Sequence, residues 1–451
     1  MLVAAVAAAG ALAACAGPTG GGAEPTATAS SSPTPSPAIE PFTHPWGPTP
    51  EEVAAATEEA AAMTPAEVAG QVIVGRLDGT DPAVAADLVT ELHLAGVMIT
   101  GGSVANLEQV LALTNGVQEA VAADGRDWPA LLSTDNEGGS VQRLSGDVGP
   151  WTTFPAFAVA GRAVEHADSD GGGDPGAVTE APTDTDGATK EPGNSTAVVT
   201  DAYAAMATEL RASGVTVDWA PVADVTVPGQ DVTIGSRAAG SDPAVVTRAV
   251  TAALEGFLEG GVLPAVKHFP GHGSLTADSH AALPVLGATD AELRTQDLPP
   301  FEAAVAAGVP MVMVGHIDVT AWDPGVPASV SPVAYQVLRE ELGFSGVTVT
   351  DSLGMGALNA VGGPGEVAVA ALAAGADLLL NPADNYAAHA AVVAALEDGT
   401  LDRDKVDAAA GRVIAMMRHQ AELAERAGPV GPDDVGSAAE AAAALSAAGQ
   451  S

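Results

Sequence analysis

Short, nearly continuous apolar runs alternate along this chain with longer stretches in which apolar residues recur at helical spacing. Eight runs read as strands: 71–77 (QVIVGRL), 95–100 (AGVMIT), 129–135 (PALLSTD), 215–221 (VTVDWAP), 262–268 (VLPAVKH), 311–317 (MVMVGHI), 346–351 (GVTVTD) and 376–382 (ADLLLNP). Runs of this kind are expected of parallel strands that are covered on both faces. Between them, Asp242-Pro243 starts a helix over 243–260 and Ser331-Pro332 starts one over 332–342, each pairing a cap with a first-turn proline. A last helical pattern covers 402–425. Eight βα units closing on themselves predict an α/β fold, a single (β/α)8 TIM barrel over 49–427. An open doubly wound sheet is the alternative, but no GxGxxG fingerprint supports it.

The polar residues that interrupt the runs come at their ends. Asp135, Lys267, His268, His316, Asp351 and Asn381 all fall at or just past the C-terminal end of a predicted strand. That is the barrel face where catalytic residues collect. One such residue is unremarkable; six on one rim point to a site.

Three segments stand outside the pattern. Residues 16–48 are rich in Gly, Pro, Ser and Thr and read as a disordered tether. Residues 163–195 form an acidic, Gly- and Thr-rich insertion without hydrophobic periodicity, expected to be a disordered loop. Residues 428–451 read as a flexible tail, and no room remains for a second globular domain. The lone cysteine, Cys15, excludes an intramolecular disulfide. It ends an uncharged apolar run, and Leu12-Ala13-Ala14-Cys15 reads as a lipobox, which makes 1–15 a signal peptide and Cys15 the lipidation site. The expected location is then the outer face of a bacterial cytoplasmic membrane, reached through a lipid anchor. Mass spectrometry of the mature protein tests this, and an uncleaved soluble form would refute it. No Lys or Arg precedes the run, so an Ala-rich flexible tail is the competing reading.

Charge narrows the partners. The formal net charge of −41 argues against nucleic acid, whose phosphates need a basic footprint. Lysine occurs only at 190, 267 and 405, so a lysine inside a motif stands out. The chain is read as a monomer that needs neither cofactor nor metal.

Three segments concentrate chemistry: Asp135-Asn136-Glu137-Gly138-Gly139-Ser140-Val141-Gln142-Arg143, the run from Lys267-His268-Phe269-Pro270-Gly271-His272-Gly273 to Asp278-Ser279-His280, and Thr350-Asp351-Ser352-Leu353-Gly354-Met355. A fourth is Ile234-Gly235-Ser236-Arg237. In this order they resemble the motifs of glycoside hydrolase family 3 β-N-acetylglucosaminidases, enzymes of peptidoglycan turnover, over roughly residues 60–420. The resemblance implies Asp351 as nucleophile, His280 as general acid/base with Asp278 as its partner, and Asp135, Arg143, Arg237, Lys267 and His268 as residues that hold the sugar. The sequence departs from the commonest pattern at Ser274-Leu275, where Asp-Thr is frequent, and at Ser352, where a second Asp often follows the nucleophile. The implied substrate is a glycan bearing N-acetylglucosamine.

The chemistry is reasonable on physical grounds. Retaining hydrolysis needs a carboxylate to form a glycosyl ester and a proton donor for the leaving oxygen. An imidazole, with an ordinary pKa of about 6.5, can serve as that donor near neutral pH. Rival readings are a metal-dependent hydrolase using His268, His272, Asp278 and His280, a non-catalytic glycan-binding lipoprotein, and a β-glucosidase or glycoside phosphorylase on the same site. The metal reading lacks the i, i+4 helical presentation of a HExxH motif. His272 and His316 receive no role at this level.

Overall fold

The computed structural model describes residues 47–170 and 196–450. The tether up to residue 46, the lipobox with Cys15, and 171–195 of the acidic insertion lie outside the described residues.

Helices begin where the sequence supplies caps. Thr49 with Glu52, Thr64 with Glu67 and Thr289 with Glu292 form reciprocal capping boxes. Asp81 and Asp242 cap helices whose first residue is proline. Between the helices lie eight strands, numbered here β1 Ile73–Arg76, β2 Gly96–Ile99, β3 Leu131–Thr134, β4 Val217–Asp218, β5 Leu263–Phe269, β6 Met311–Val314, β7 Val347–Thr350 and β8 Leu379–Leu380. Each falls inside a predicted run except that β5 extends one residue further. They are all parallel and lie in chain order around the sheet, with β1 pairing β8.

The seam between β7 and β8 has a single bridge, Val349 to Leu378. Side chains complete it. The Asp377 carboxylate accepts the Thr348 amide at 2.8 Å, and Thr350 Oγ1 accepts the Leu380 amide at 3.1 Å. Asp377 is fully buried and is held in turn by Arg339 and Arg412. Burial alone would raise its carboxyl, but the two guanidiniums hold it below the ordinary value. The eight strands thus form a nearly closed parallel barrel of the TIM type.

With aromatic residues at only 3% of the sequence, the interior is filled mainly by Val, Leu, Ile and Ala, with Met and a few large rings such as Trp219, Tyr203 and Phe257 among them. Small residues also let the outer helices approach closely. At Gly256, in helix Pro243–Glu259, a Cβ would come within 2.3 Å of the Thr200 carbonyl in helix Ala197–Ala212. Only glycine permits that crossing.

Two boundary expectations are corrected. The insertion does not begin at 163, because helix Ala158–Asp170 continues through it and buries Ala163 and Val164. The segment 428–451 is not a loose tail. It carries helix Ala439–Ala448, which buries Ala442 and Leu445. The Ala438 amide donates to the buried Glu209 carboxylate at 2.7 Å, and Arg162 donates to the Gly449 carbonyl at 3.0 Å.

Candidate active site

The C-terminal ends of the strands open into a cavity of about 340 Å³. Asp135, Arg143, Arg237, Lys267, His268, His280, Asp351 and Asn381 all contribute to its wall. Seven of the eight proposed site residues therefore converge. The eighth, Asp278, stands behind His280.

The loop after β3 supplies a charged floor. It folds back as a short antiparallel pair, Asn136–Gly138 with Val141–Gln142, which turns Asp135 and Glu137 towards the end of β5. Lys267 Nζ lies 2.8 Å from Asp135 Oδ1 and 2.6 Å from Glu137 Oε1. Arg237 grips the same Glu137 with both ends of its fork, each contact at 2.8 Å. Lys267 and Glu137 are both 2% exposed at the side chain. Burial pushes the Glu137 carboxyl upwards, but Lys267 and Arg237 overcome it and bring the pKa to about 2. Burial likewise disfavours the Lys267 ammonium, yet Asp135 and Glu137 hold its pKa above the ordinary value. Arg143 stands further out, 3.9 Å from Asp135 Oδ2 and partly exposed. Glu137 was not among the proposed residues, although it sits inside the quoted motif. The signal was its position two residues after Asp135, on the same alternation.

Asp351 follows β7 directly, and its amide donates to the Val314 carbonyl of β6. Its Oδ1 accepts the Ser352 amide at 2.7 Å. Burial works to raise its pKa but is outweighed by His316, His268, the Ser352 amide and Lys267, so the carboxylate form is favoured. His316 touches the same turn. Its Nε2 meets the Ser352 carbonyl at 2.9 Å and its Nδ1 meets Ser329 Oγ at 2.7 Å. A carbonyl only accepts, so Nε2 carries the proton. Burial lowers the His316 pKa, against the pull of Asp351 and the Ser352 carbonyl. Asn381 Nδ2 bonds Ser352 Oγ at 2.7 Å, which ties β8 to this turn.

His268 is buried, with Nδ1 2.7 Å from Asp224 Oδ2. Burial drives its pKa well down. His280 contrasts with it: the side chain is 66% exposed and Nδ1 lies 2.8 Å from Asp278 Oδ1. The Asp278 pKa is lowered, first by the His280 amide and then by the ring. An ionised carboxylate only accepts, so Nδ1 carries a proton and Nε2 is left for exchange. The loop bearing the pair is fastened to the turn after Asp351. Gly356 N donates to the His280 carbonyl at 3.0 Å, and Ala357 N donates to the Ser279 carbonyl at 3.1 Å. Among the described residues, no group of three or more His, Cys, Asp and Glu is placed to hold a metal ion. His268 and His272 have instead turned to Asp224 and Ser279.

Such an arrangement on the C-terminal rim of a parallel barrel defines the class: a glycoside hydrolase with a compact, polar-floored pocket. Within that class the chain belongs to glycosyl hydrolase family 3, whose N terminal domain profile matches residues 66–416. It is 32% identical over 358 residues to "Beta-hexosaminidase LpqI" of Mycobacterium tuberculosis, covering 78% of this chain and 81% of that one. It is 30% identical over 316 residues to "Beta-hexosaminidase A" of Pseudoalteromonas piscicida, covering 67% of this chain but spanning about half, 48%, of that relative. Among solved structures, a family 3 β-N-acetylglucosaminidase from Paenibacillus sp. str. FPU-7 superposes with a TM-score of 0.74 at 31% identity, covering 86% of this chain and 69% of that one.

Proposed function

We propose that this chain is a retaining, exo-acting β-N-acetylglucosaminidase that removes terminal β-linked N-acetylglucosamine, from peptidoglycan fragments among other glycans, through a glycosyl–Asp351 intermediate. The observation that carries this reading is the meeting of Asp351 and His280 on one cavity wall, with the His280 loop bonded to the turn after Asp351. The names of the relatives support the N-acetylhexosamine, and the compactness of the cavity, about 340 Å³, supports action at a chain end.

In the first step a carboxylate oxygen of Asp351 bonds to the anomeric carbon while the bond to the leaving oxygen breaks. Protonated His280 gives that oxygen its proton from Nε2. In the second step water attacks the anomeric carbon, His280 takes a proton back, and the ester bond to Asp351 breaks. Two inversions at one carbon restore the β configuration. Asp278 fixes the tautomer and stabilises the imidazolium, as an aspartate does in a serine protease triad. The buried carboxyl that faces the cavity from Glu137 cannot act as the donor, because its two cations keep it ionised. Lys267, Asp135, Arg143, Arg237 and His268 are left to hold the sugar hydroxyls.

Asp351→Asn should abolish turnover while fold and most sugar binding survive, so the loss falls on kcat. A slow 5-fluoro glycoside should label the wild-type enzyme on Asp351, and NMR should show the β anomer as first product. An inverted product, or a label on another carboxylate, would falsify the mechanism. The same enzyme assayed on N-acetylglucosaminide, glucoside and xyloside, with and without phosphate, fixes sugar and acceptor. Faster turnover of the glucoside overturns the assigned sugar, and glycosyl phosphate as main product overturns hydrolysis.

A further inference from the structure

One buried carboxylate joins the two halves of this site, and none of the roles above uses it. Asp224 lies in the loop after β4 and is wholly buried. Its Oδ2 meets His268 Nδ1 at 2.7 Å, and its Oδ1 accepts the His268 amide at 3.2 Å and the His272 amide at 2.7 Å. The first contact fixes a ring on the cavity wall. The last anchors the start of the loop that returns at Ser279 and His280. His272 continues the connection, because its Nε2 lies 3.0 Å from Ser279 Oγ, next to the acid/base residue.

We propose that Asp224 is a positioning residue that sets the tautomer of His268 and, through His272 and Ser279, the placement of His280, so that sugar binding and proton delivery share one anchor. The proposal rests on the functional reading above. Three donors converge on two oxygens with no access for solvent, so the carboxylate cannot turn without releasing one of them. Burial raises the Asp224 pKa to about 6; above that pH it is a carboxylate that only accepts, and His268 must keep its proton on Nδ1. The Nε2 of His268 then presents a lone pair to the cavity, suited to accept a sugar hydroxyl. Such shared anchoring counts because a displacement of about 1 Å in reacting groups costs on the order of 10²-fold in rate.

The test uses Asp224→Asn and Ser279→Ala in the full chain. Asn keeps the shape but offers an N–H₂ group to His268 Nδ1, which moves the ring proton to Nε2. Asp224→Asn should raise KM and also lower kcat on the order of 10²-fold for poor leaving groups, with a smaller fall for activated aryl glycosides. The ¹⁵N shifts of His268 should report the exchanged tautomer. Ser279→Ala cuts only the second connection, so it should reproduce the leaving-group effect with KM unchanged. An Asp224→Asn enzyme with the wild-type tautomer, or with equal losses on all leaving groups, overturns the proposal. If that variant does not fold, a Ser279→Ala enzyme insensitive to leaving group overturns it equally. These outcomes are separate from failure of the mechanism itself, which Asp351→Asn retaining turnover would reveal.

Discussion

The two halves of the site are built on opposite principles. The sugar-side floor is a saturated charge cluster in which Lys267 and Glu137 are each 2% exposed and every contact between them and Asp135 or Arg237 is 2.8 Å or shorter. The acid/base pair stands in solvent, with Asp278 51% and His280 66% exposed and bonded mainly to each other. Position in the floor is set by interlocking buried ions, where removing one partner is costly. Position in the loop is set by backbone bonds and a few side-chain links, at little energetic cost to the fold. A group that must lose and regain a proton in every cycle profits from contact with water. A group that must only hold hydroxyls profits from rigidity.

The sharpest way to break the comparison is His280→Ala. It should slow glycosides with poor leaving groups by roughly 10²–10⁴-fold, the usual contribution of a positioned acid or base. Activated aryl glycosides, which need little protonation on departure, should be far less affected. Because the side chain is exposed, the melting temperature should hardly move. A plot of log kcat/KM against leaving-group pKa for the two enzymes checks both halves of this statement. Parallel lines would remove His280 from the proton transfer.

Glu137→Gln should do the reverse, harming the fold before the chemistry. The amide leaves Lys267 and Arg237 buried with one anionic partner fewer, which costs roughly 3–5 kcal/mol when a buried pair is broken. The effect should depend on pH in a defined direction. The Glu137 carboxyl titrates at about 2 in the fold against an ordinary 4.5. A depressed pKa contributes stability that is complete above the unfolded value and drains away as pH falls towards the folded one. The gap in unfolding free energy between wild type and variant should therefore be full at pH 6 and narrow by up to about 1.4 kcal/mol per pH unit below 4.5. A gap that is the same at pH 6 and pH 3 would show that Glu137 is not the ionised centre of the cluster.

How much of this was legible beforehand differs between the same two regions. The eight apolar runs gave the barrel because parallel strands bury both faces and need no alternation, and the polar residues that end them marked the rim. Seven of the eight motif residues proposed for the site line the cavity, and Asp278 stands behind His280. What escaped was the support behind them. Glu137 lies two residues after Asp135 in the same motif, but nothing in a linear pattern says that a lysine 130 positions away will share it with an arginine 100 positions away. Asp224 lies in Val222-Ala223-Asp224-Val225, whose neighbours have no chemical signature, and its three donors are brought by β5 and the loop that follows it. Helix Ala439–Ala448 was missed for another reason. A segment composed mostly of alanine has no contrast between faces, and it packs by closeness rather than by bulk. Patterns of polarity report elements and ends; they do not report which buried charge answers which.

The finest test of the comparison is Gly356→Ala, which touches neither the floor nor any titratable group. Gly356 lies in the turn after Asp351, and its amide holds the His280 carbonyl at 3.0 Å. A Cβ at this position would come within 2.8 Å of both the His280 and Ala281 carbonyl oxygens. Real Cβ atoms do not approach backbone that closely, so the acid/base loop must back away by several tenths of an ångström. Asp351, fixed by the β6 carbonyl and the Ser352 amide, has no reason to follow. The distance between nucleophile and proton donor should then grow while the sugar clamp stays as it was. The expected outcome is an unchanged KM, a melting temperature within a few degrees of wild type, and a loss of about 10-fold on poor leaving groups only, smaller than for His280→Ala. If Gly356→Ala instead weakened sugar binding, the loop and the floor would not be separate structures, and the contrast drawn between them would fail.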